Sequence, residues 1–287
     1  MPWLQLLRVA LLPTLVWDVL AGAFLVGGPL DRTWGTCLLA ALLVYHGGMI
    51  ANDYCDRKID AASRPHRPIP SGRVRPLSAL FACIVMFGGA FWIAQSLPTA
   101  PKTIIQALIL IVLLYNFAGQ PLRSWLGPAL LASARGSSLC LGGLASISFG
   151  EFFSSALLWP AVVYSLFFLF TSRLAAYEEE GIPKMRGISF LIVSGLTPLL
   201  LLNQPESHAL SLLVWFLFSF WLLHPILKDN LIRWEPERVQ STVRHSLTAA
   251  PLLHSIALVS VSAFPSAALG LVATLSVKSL AKYFPPE

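Results

Sequence analysis

The chain has 287 residues, of which 56% are hydrophobic and 12% charged, with a mean hydropathy of +0.70 and a net charge of +6. Soluble domains carry about twice that charged fraction, so the composition excludes a water-soluble globular protein. The basic residues belong to short connections beside apolar runs and not to a folded basic domain, which argues against nucleic acid as a partner.

In chain order, the first apolar run is 9–29. Its charged leader is weak, with only Arg8, and Asp18 interrupts it, so it reads as a retained transmembrane helix and not a cleaved signal. Runs of membrane-spanning length follow at 34–51, 77–97, 103–119, 127–148, 155–172, 187–203, 208–227 and 245–263. A further run at 264–281 is either a tenth span or part of a broken last one. The expectation is an all-α polytopic bundle of nine helices, give or take one, forming a single integral-membrane domain over 1–287. Fourteen of the 20 Lys and Arg fall in the even-numbered connections, against Arg32 and Lys102 in the odd ones. The positive-inside rule then places the N-terminus and the even loops in the cytoplasm. The expected location is the inner membrane of the cell.

At the end of the second span stands Asn52-Asp53-Tyr54-Cys55-Asp56-Arg57-Lys58-Ile59-Asp60, followed by Ser63-Arg64-Pro65-His66-Arg67-Pro68-Ile69-Pro70-Ser71-Gly72. Charged side chains cost about 2.5–3.5 kcal/mol each at a bilayer centre, so their concentration so near hydrocarbon points to a use. On a helix, Asn52, Asp56 and Asp60 recur every four residues, with Asp53 one turn before Asp56, and the spacing predicts convergence on one face or its edge. Carboxylates that close repel one another unless a cation lies between them. Oxygen donors without clustered His or Cys favour Mg²⁺, which typically joins one or two carboxylates to substrate phosphates. Arg57, Lys58, Arg64 and Arg67 stand ready for the remaining phosphate charge. The plainer alternative is a solvated helix end with a basic loop.

Tyr115-Asn116-Phe117-Ala118-Gly119-Gln120-Pro121-Leu122-Arg123 closes span four on the same expected side, where Arg123 suits a phosphate or a lipid headgroup. Arg135 lies inside a span. It is either an anion-binding group in a cavity or half of an ion pair with Glu151 or Asp18. Asp18 and Asn116 read as helix–helix hydrogen-bonding groups. After span six, Glu178, Glu179 and Glu180 end a helix that Gly181 and Pro183 stop, with Lys184 and Arg186 beyond. Three adjacent glutamates cannot all face one way, so one or two are expected to face inward. They form either a second Mg²⁺–phosphate site or an ordinary juxtamembrane charge cluster. His46, His208, His224, His245 and His254 have no metal-ligand spacing and read as interfacial or packing residues. The nine tryptophans read as interface anchors, and the four scattered cysteines as small buried residues. No Ser-His-Asp set, Walker loop or dinucleotide fingerprint is present.

Asn52-Asp53-x-x-Asp56-x-x-x-Asp60 with Arg67-Pro68-Ile69-Pro70-Ser71-Gly72 closely resembles the first acidic motif of the UbiA superfamily of intramembrane prenyltransferases. Tyr115-Asn116-x-x-Gly119-x-Pro121-Leu122-Arg123 is similar to a second segment of that family, and the likeness in length and span count covers the whole chain. The resemblance implies nine helices around a central, lipid-open cavity. It also implies Mg²⁺-dependent transfer of a prenyl group from an isoprenyl diphosphate to an aromatic or other small or lipid acceptor. Carried over, Asn52, Asp53, Asp56 and Asp60 would hold one ion, and Glu178 with Glu179 or Glu180 the other, with Asp53, Asp56 and Asp60 central to catalysis. Arg64, Arg67, Tyr115, Asn116, Arg123, Lys184 and Arg186 would contact substrate, and Tyr115, Phe117 and Tyr177 are candidates to stabilise an allylic cation. The second motif departs from the family's usual Asp-x-x-x-Asp or Asp-x-x-Asp, with Ile182 four residues after Glu178. That departure bears on the second ion and leans toward divergent members found in bacterial biosynthetic clusters. Two other readings keep the motifs: a terpene cyclase or lipid-forming transferase of the same superfamily, and a non-catalytic isoprenoid-binding or transport protein.

Overall fold

The computed structural model describes residues 2–203, 209–227 and 232–283; His208 and Lys228 lie outside the described residues. A short α1 (Pro2–Leu6) and a 3-10 turn (Val9–Leu11) lead into α2 (Leu12–Leu25). There follow α3 (Arg32–Ser63), α4 (Pro76–Ala94), α5 (Thr99–Phe117), α6 (Gln120–Leu144) and a one-turn α7 (Phe149–Phe152). Then come α8 (Leu158–Ala175), α9 (Lys184–Leu196) with a 3-10 extension (Thr197–Asn203), α10 (Ala209–Leu227), α11 (Pro236–Ser260) and α12 (Phe264–Tyr283). Every expected span meets a helix. Among the described residues five segments are long and apolar enough to cross a membrane by themselves: α3, α4, α5, α8 and α9 with its extension to Leu201. The apolar parts of α2, α10 and α12 are shorter. The last run is a helix of its own, because Ser262 takes a left-handed conformation (φ 61°) and breaks the chain between α11 and α12.

Asp31 caps α3, its side chain accepting from the Trp34 backbone N–H at 2.9 Å. The helix does not stop near residue 51 but continues to Ser63, 32 residues in all. That is about 48 Å of helix, longer than the roughly 30 Å of hydrocarbon in a bilayer.

Between apolar helices in lipid, close packing replaces the hydrophobic drive, and small residues permit it. α2 and α6 meet at Gly22 and Gly142. A Cβ on the first would collide with the Leu139 carbonyl, and one on the second with that of Val19. The outward faces remain apolar, with Leu77, Phe81, Ile84 and Trp92 on α4 and Leu212, Phe216 and Phe220 on α10 all exposed. Trp3, Trp92, Trp125 and Trp159 are also exposed, as interface anchors would be. Trp17 and Trp234 correct that expectation, because both are buried in the core.

The connections after α3, α5, α8 and α10 share one end of the bundle with the N-terminus, tied by Arg8–Asp53, Arg123–Asp56, Arg64–Glu179 and Arg233–Glu180 contacts. The sequence does not announce how two of them are joined. Ile182–Pro183 (β1) pairs antiparallel with Arg233–Trp234 (β2), clasping the α8–α9 turn to the start of α11. Gly181 makes the clasp possible. Its φ is +71°, and a Cβ there would lie 2.5 Å from the Trp234 carbonyl oxygen. Gly181→Ala is therefore expected to cost about 1–2 kcal/mol, read as a lowered thermal midpoint in detergent.

Candidate active site

The acidic motif folds as two sub-faces. Steps of four residues advance about 40° round a helix, so Asp60 lies about 80° from Asn52, whereas positions seven apart differ by only about 20°. Asp53 and Asp60 accordingly share one cation. Arg67 Nη1 donates to Asp60 Oδ2 at 2.8 Å and lies 3.8 Å from Asp53 Oδ1. Asp56 turns to the next helices, where Arg123 Nη1 donates to its Oδ1 at 2.6 Å. Asn52 bonds across to α5, its amide donating to Asn116 Oδ1 at 3.3 Å, while Asn116 itself donates to the Val112 carbonyl.

Arg67 and Asp60 are both about 95% buried, so this pair anchors the loop after α3. Within that loop Ser71 N–H donates to Arg67 O and Val74 N–H to Pro68 O, with Ile69 and Val74 buried beneath. Arg57 turns back onto its own helix, 4.2 Å above the Tyr54 ring, and Lys58 is exposed. Arg123 also lies 4.7 Å from the Tyr115 ring centre and reaches the Tyr115 hydroxyl at 3.4 Å. Phe117 points outward, about half exposed, away from this cluster.

Arg8 was not among the expected site residues. The 3-10 turn begins on it in a left-handed conformation (φ 46°), which aims its guanidinium at the acids. Nη2 donates to Asp53 Oδ1 at 3.1 Å and reaches Asn52 Oδ1 at 3.4 Å. Its only signal in the sequence is a single cation in an apolar N-terminal stretch.

The glutamates do not end a helix. α8 stops at Ala175, and Glu178–Glu180 lie in a turn closed by Gly181 N–H donating to the Tyr177 carbonyl at 2.9 Å. One faces inward: Glu178 is half-buried, whereas Glu179 and Glu180 are exposed. Arg64 joins the two acidic runs, its Nη2 donating to Glu179 Oε1 at 2.6 Å. Glu178 feels the charges of Arg64, Glu179, Arg244 and Arg8, so it stands between the first motif and α11. Arg186 is exposed and lies over the Tyr177 ring at 5.1 Å; Lys184 begins α9 next to the clasp.

Burial is the main reason the Glu178 carboxyl titrates above the ordinary carboxylate range, with the cations opposing it and Glu179 adding to it. The folded state then binds its proton more tightly than the unfolded chain. The stability it contributes is full below the unfolded value and is lost as pH rises through the folded one. In metal-free buffer, Glu178→Gln should flatten that part of the stability–pH curve, measured by thermal melts across mildly acidic pH.

Among the described residues no three His, Cys, Asp or Glu side chains are grouped closely enough to hold a metal ion. The oxygen donor set instead fits a hard cation that arrives with a phosphate ligand and asks the protein for only one or two carboxylates. A cavity of about 500 Å³, bordered by Pro98–Ala100 and Leu144–Gly150, lies at the opposite end of the bundle and is separate from these groups.

The architecture and this acidic, arginine-rich end define a multi-pass helical membrane protein with a polar site at one mouth. The UbiA prenyltransferase family model matches residues 11–231, and the chain belongs to that family. It is 35% identical over 138 residues to a digeranylgeranylglyceryl phosphate synthase of Methanothrix thermoacetophila, covering 45% of this chain and 51% of the relative. It is 31% identical over 127 residues to the bacteriochlorophyll synthase 33 kDa chain of Rhodobacter capsulatus, covering 42% and 41%. The matches thus span about half the length of these curated relatives or less. The fold resembles a UbiA homologue from Archaeoglobus fulgidus bound to GPP and Mg²⁺, with a TM-score of 0.59, 14% identity, and coverage of 91% of this chain and 100% of that one. A digeranylgeranylglyceryl phosphate synthase structure gives a TM-score of 0.64 at 14% identity, covering 90% and 96%.

Proposed function

We propose that residues 1–287 form one inner-membrane domain that transfers a prenyl group from an isoprenyl diphosphate to an acceptor with the help of Mg²⁺, at a site on the cytoplasmic side. The observation that carries this reading is the meeting of two acidic runs from distant parts of the chain, joined by the Arg64–Glu179 contact and flanked by Arg8, Arg67 and Arg123. Asn52, Asp53 and Asp56 would hold one cation, and Glu178 with Glu179 a second. Asp60 contributes by fixing Arg67 and the loop, and Glu180 by its carbonyl, which accepts from Arg233 Nη2 at 2.7 Å.

The reaction breaks the bond between the allylic carbon and a diphosphate oxygen, and the electron pair leaves with diphosphate. The acceptor's nucleophilic atom then bonds to that carbon and gives up a proton. When bound, Mg²⁺ supplies neutralisation of the charge that grows on the leaving group. Arg8, Arg64 and Arg123 add fixed cations that stabilise that charge more in the transition state than before it. Tyr115 and Asn116 hold Arg123 and Asn52 in place.

Likeness to the digeranylgeranylglyceryl phosphate synthases favours, as a second reading, a lipid-forming transferase with a lipid acceptor. Calorimetry with geranyl diphosphate, with and without Mg²⁺, tests the shared part. Mg²⁺-dependent binding is expected, and its absence from folded protein would reject the function. Mass spectrometry of products formed with membrane extract separates the acceptors, and donor binding without diphosphate release would favour a non-catalytic isoprenoid carrier.

A further inference from the structure

Inside the bundle, away from the acids, four side chains from four helices meet. Asp18 of α2 is fully buried; Tyr164 of α8 and His254 of α11 are 1% exposed. Tyr164 donates its hydroxyl to Asp18 Oδ1 at 2.6 Å, and His254 Nε2 lies 2.9 Å from the same oxygen. Arg135 of α6 donates Nη2 to the Tyr164 hydroxyl at 2.7 Å and lies 2.9 Å from Asp18 Oδ2. That oxygen accepts no directed hydrogen bond, so the second contact is one of charge. Glu151, the other partner considered for Arg135, instead closes a capping box with Ser148 on α7.

The arginine is held by one end only. Its bonds leave through Nη2, its buried Nε has no partner, and its side chain keeps 16% exposure. Phe168 and Tyr164 stack near it, with ring centres 4.8 and 5.6 Å away, which fixes the plane of the guanidinium. Tyr45 locates it relative to the acids. Tyr45 lies in the field of both Arg8 and Arg135, and its hydroxyl donates to the Arg8 carbonyl at 3.3 Å. On α3, Tyr45 precedes Asn52 by two turns on nearly the same face, about 10 Å deeper in the bundle.

A guanidinium oriented by neighbours, partly exposed and with its Nε unbonded, is a recognition group for an oxyanion. Arg135 lies twelve residues after Arg123 on α6, about 18 Å further from the acidic end, so on the transferase reading it would stand deeper in the bundle than a diphosphate held by the acids. We propose that Arg135, oriented by Asp18, Tyr164 and His254, is a specificity-determining residue that binds a carboxylate or phosphate carried by the acceptor. The inference rests on the transferase reading for the word acceptor, but the oxyanion site itself does not.

The test uses the full chain in phosphatidylcholine nanodiscs and calorimetric titration with dodecyl phosphate, dodecanoate and neutral dodecanol. Arg135→Gln strands Asp18 and risks misfolding, so the decisive variant is Asp18→Asn/Arg135→Gln, which removes both charges together. One or both anions should bind the wild type, and the phosphate and carboxylate arms show which group is preferred. The double variant should bind that anion at least roughly tenfold more weakly, with Mg²⁺-dependent geranyl diphosphate binding unchanged. Equal anion affinity in a folded double variant, or dodecanol binding as tightly as the anions, would overturn the proposal. If geranyl diphosphate binds neither protein while the anion difference persists, the transferase reading fails and the oxyanion site stands.

Discussion

Asp53→Asn is expected to weaken Mg²⁺-dependent geranyl diphosphate binding roughly a hundredfold while the protein stays folded. Asp53 is 95% buried and lies 3.1 Å from Arg8 and 3.8 Å from Arg67, at the centre of the first motif. The amide keeps the volume and an oxygen for Arg8 but lacks the charge that a hard cation requires. Asp56→Asn should act similarly, because it also leaves Arg123 without its carboxylate. Glu151→Gln, at the other end of the bundle, serves as the comparison that should leave binding intact. Calorimetry at saturating Mg²⁺ reads the effect, and a thermal melt shows whether the fold is retained. Near wild-type affinity in both aspartate variants would remove the first motif from donor binding.

Asp18→Ala should be the most destabilising single substitution proposed here, by about 3–5 kcal/mol, since it leaves a buried cation without its counter-charge. It also deprives the Tyr164 hydroxyl and His254 Nε2 of their shared acceptor. The loss would be read in detergent as a lowered thermal midpoint. Asp18→Asn/Arg135→Gln should recover most of it, because no unpaired charge remains inside the bundle. A midpoint for Asp18→Ala close to that of the wild type would show that the network does not hold these helices together.

Much of the site was legible from local pattern. The all-α membrane class follows from apolar runs, and the acidic helix end from the Asn52–Asp60 spacing with the Arg-Pro-Ile-Pro-Ser-Gly loop behind it. The gathering of basic connections at one end is also visible, because alternating spans return every second loop to the same side. That one or two of the three glutamates face inward was expected from a helix, yet the one that does, Glu178, lies in a turn beyond the end of α8.

Other features depend on partners remote in sequence. Which arginine meets which acid could not be read, because Arg8, Arg64 and Arg123 reach their partners across 45, 115 and 67 positions. The Trp234 clasp was hidden for the same reason, as its two-residue strands carry no periodicity of their own. His254 read as packing because no nearby residue suggests a partner; Asp18 lies 236 positions away.

The amino-acid sequence alone determined a polytopic bundle with an acidic rim, since hydropathy and short-range spacing are properties of neighbours along the chain. Only the tertiary structure decided that Arg8 enters that rim, that Asp60 is spent on an anchor, and that four helices converge on Asp18. Those choices depend on how helices dock and rotate, and docking brings together side chains that no local pattern relates.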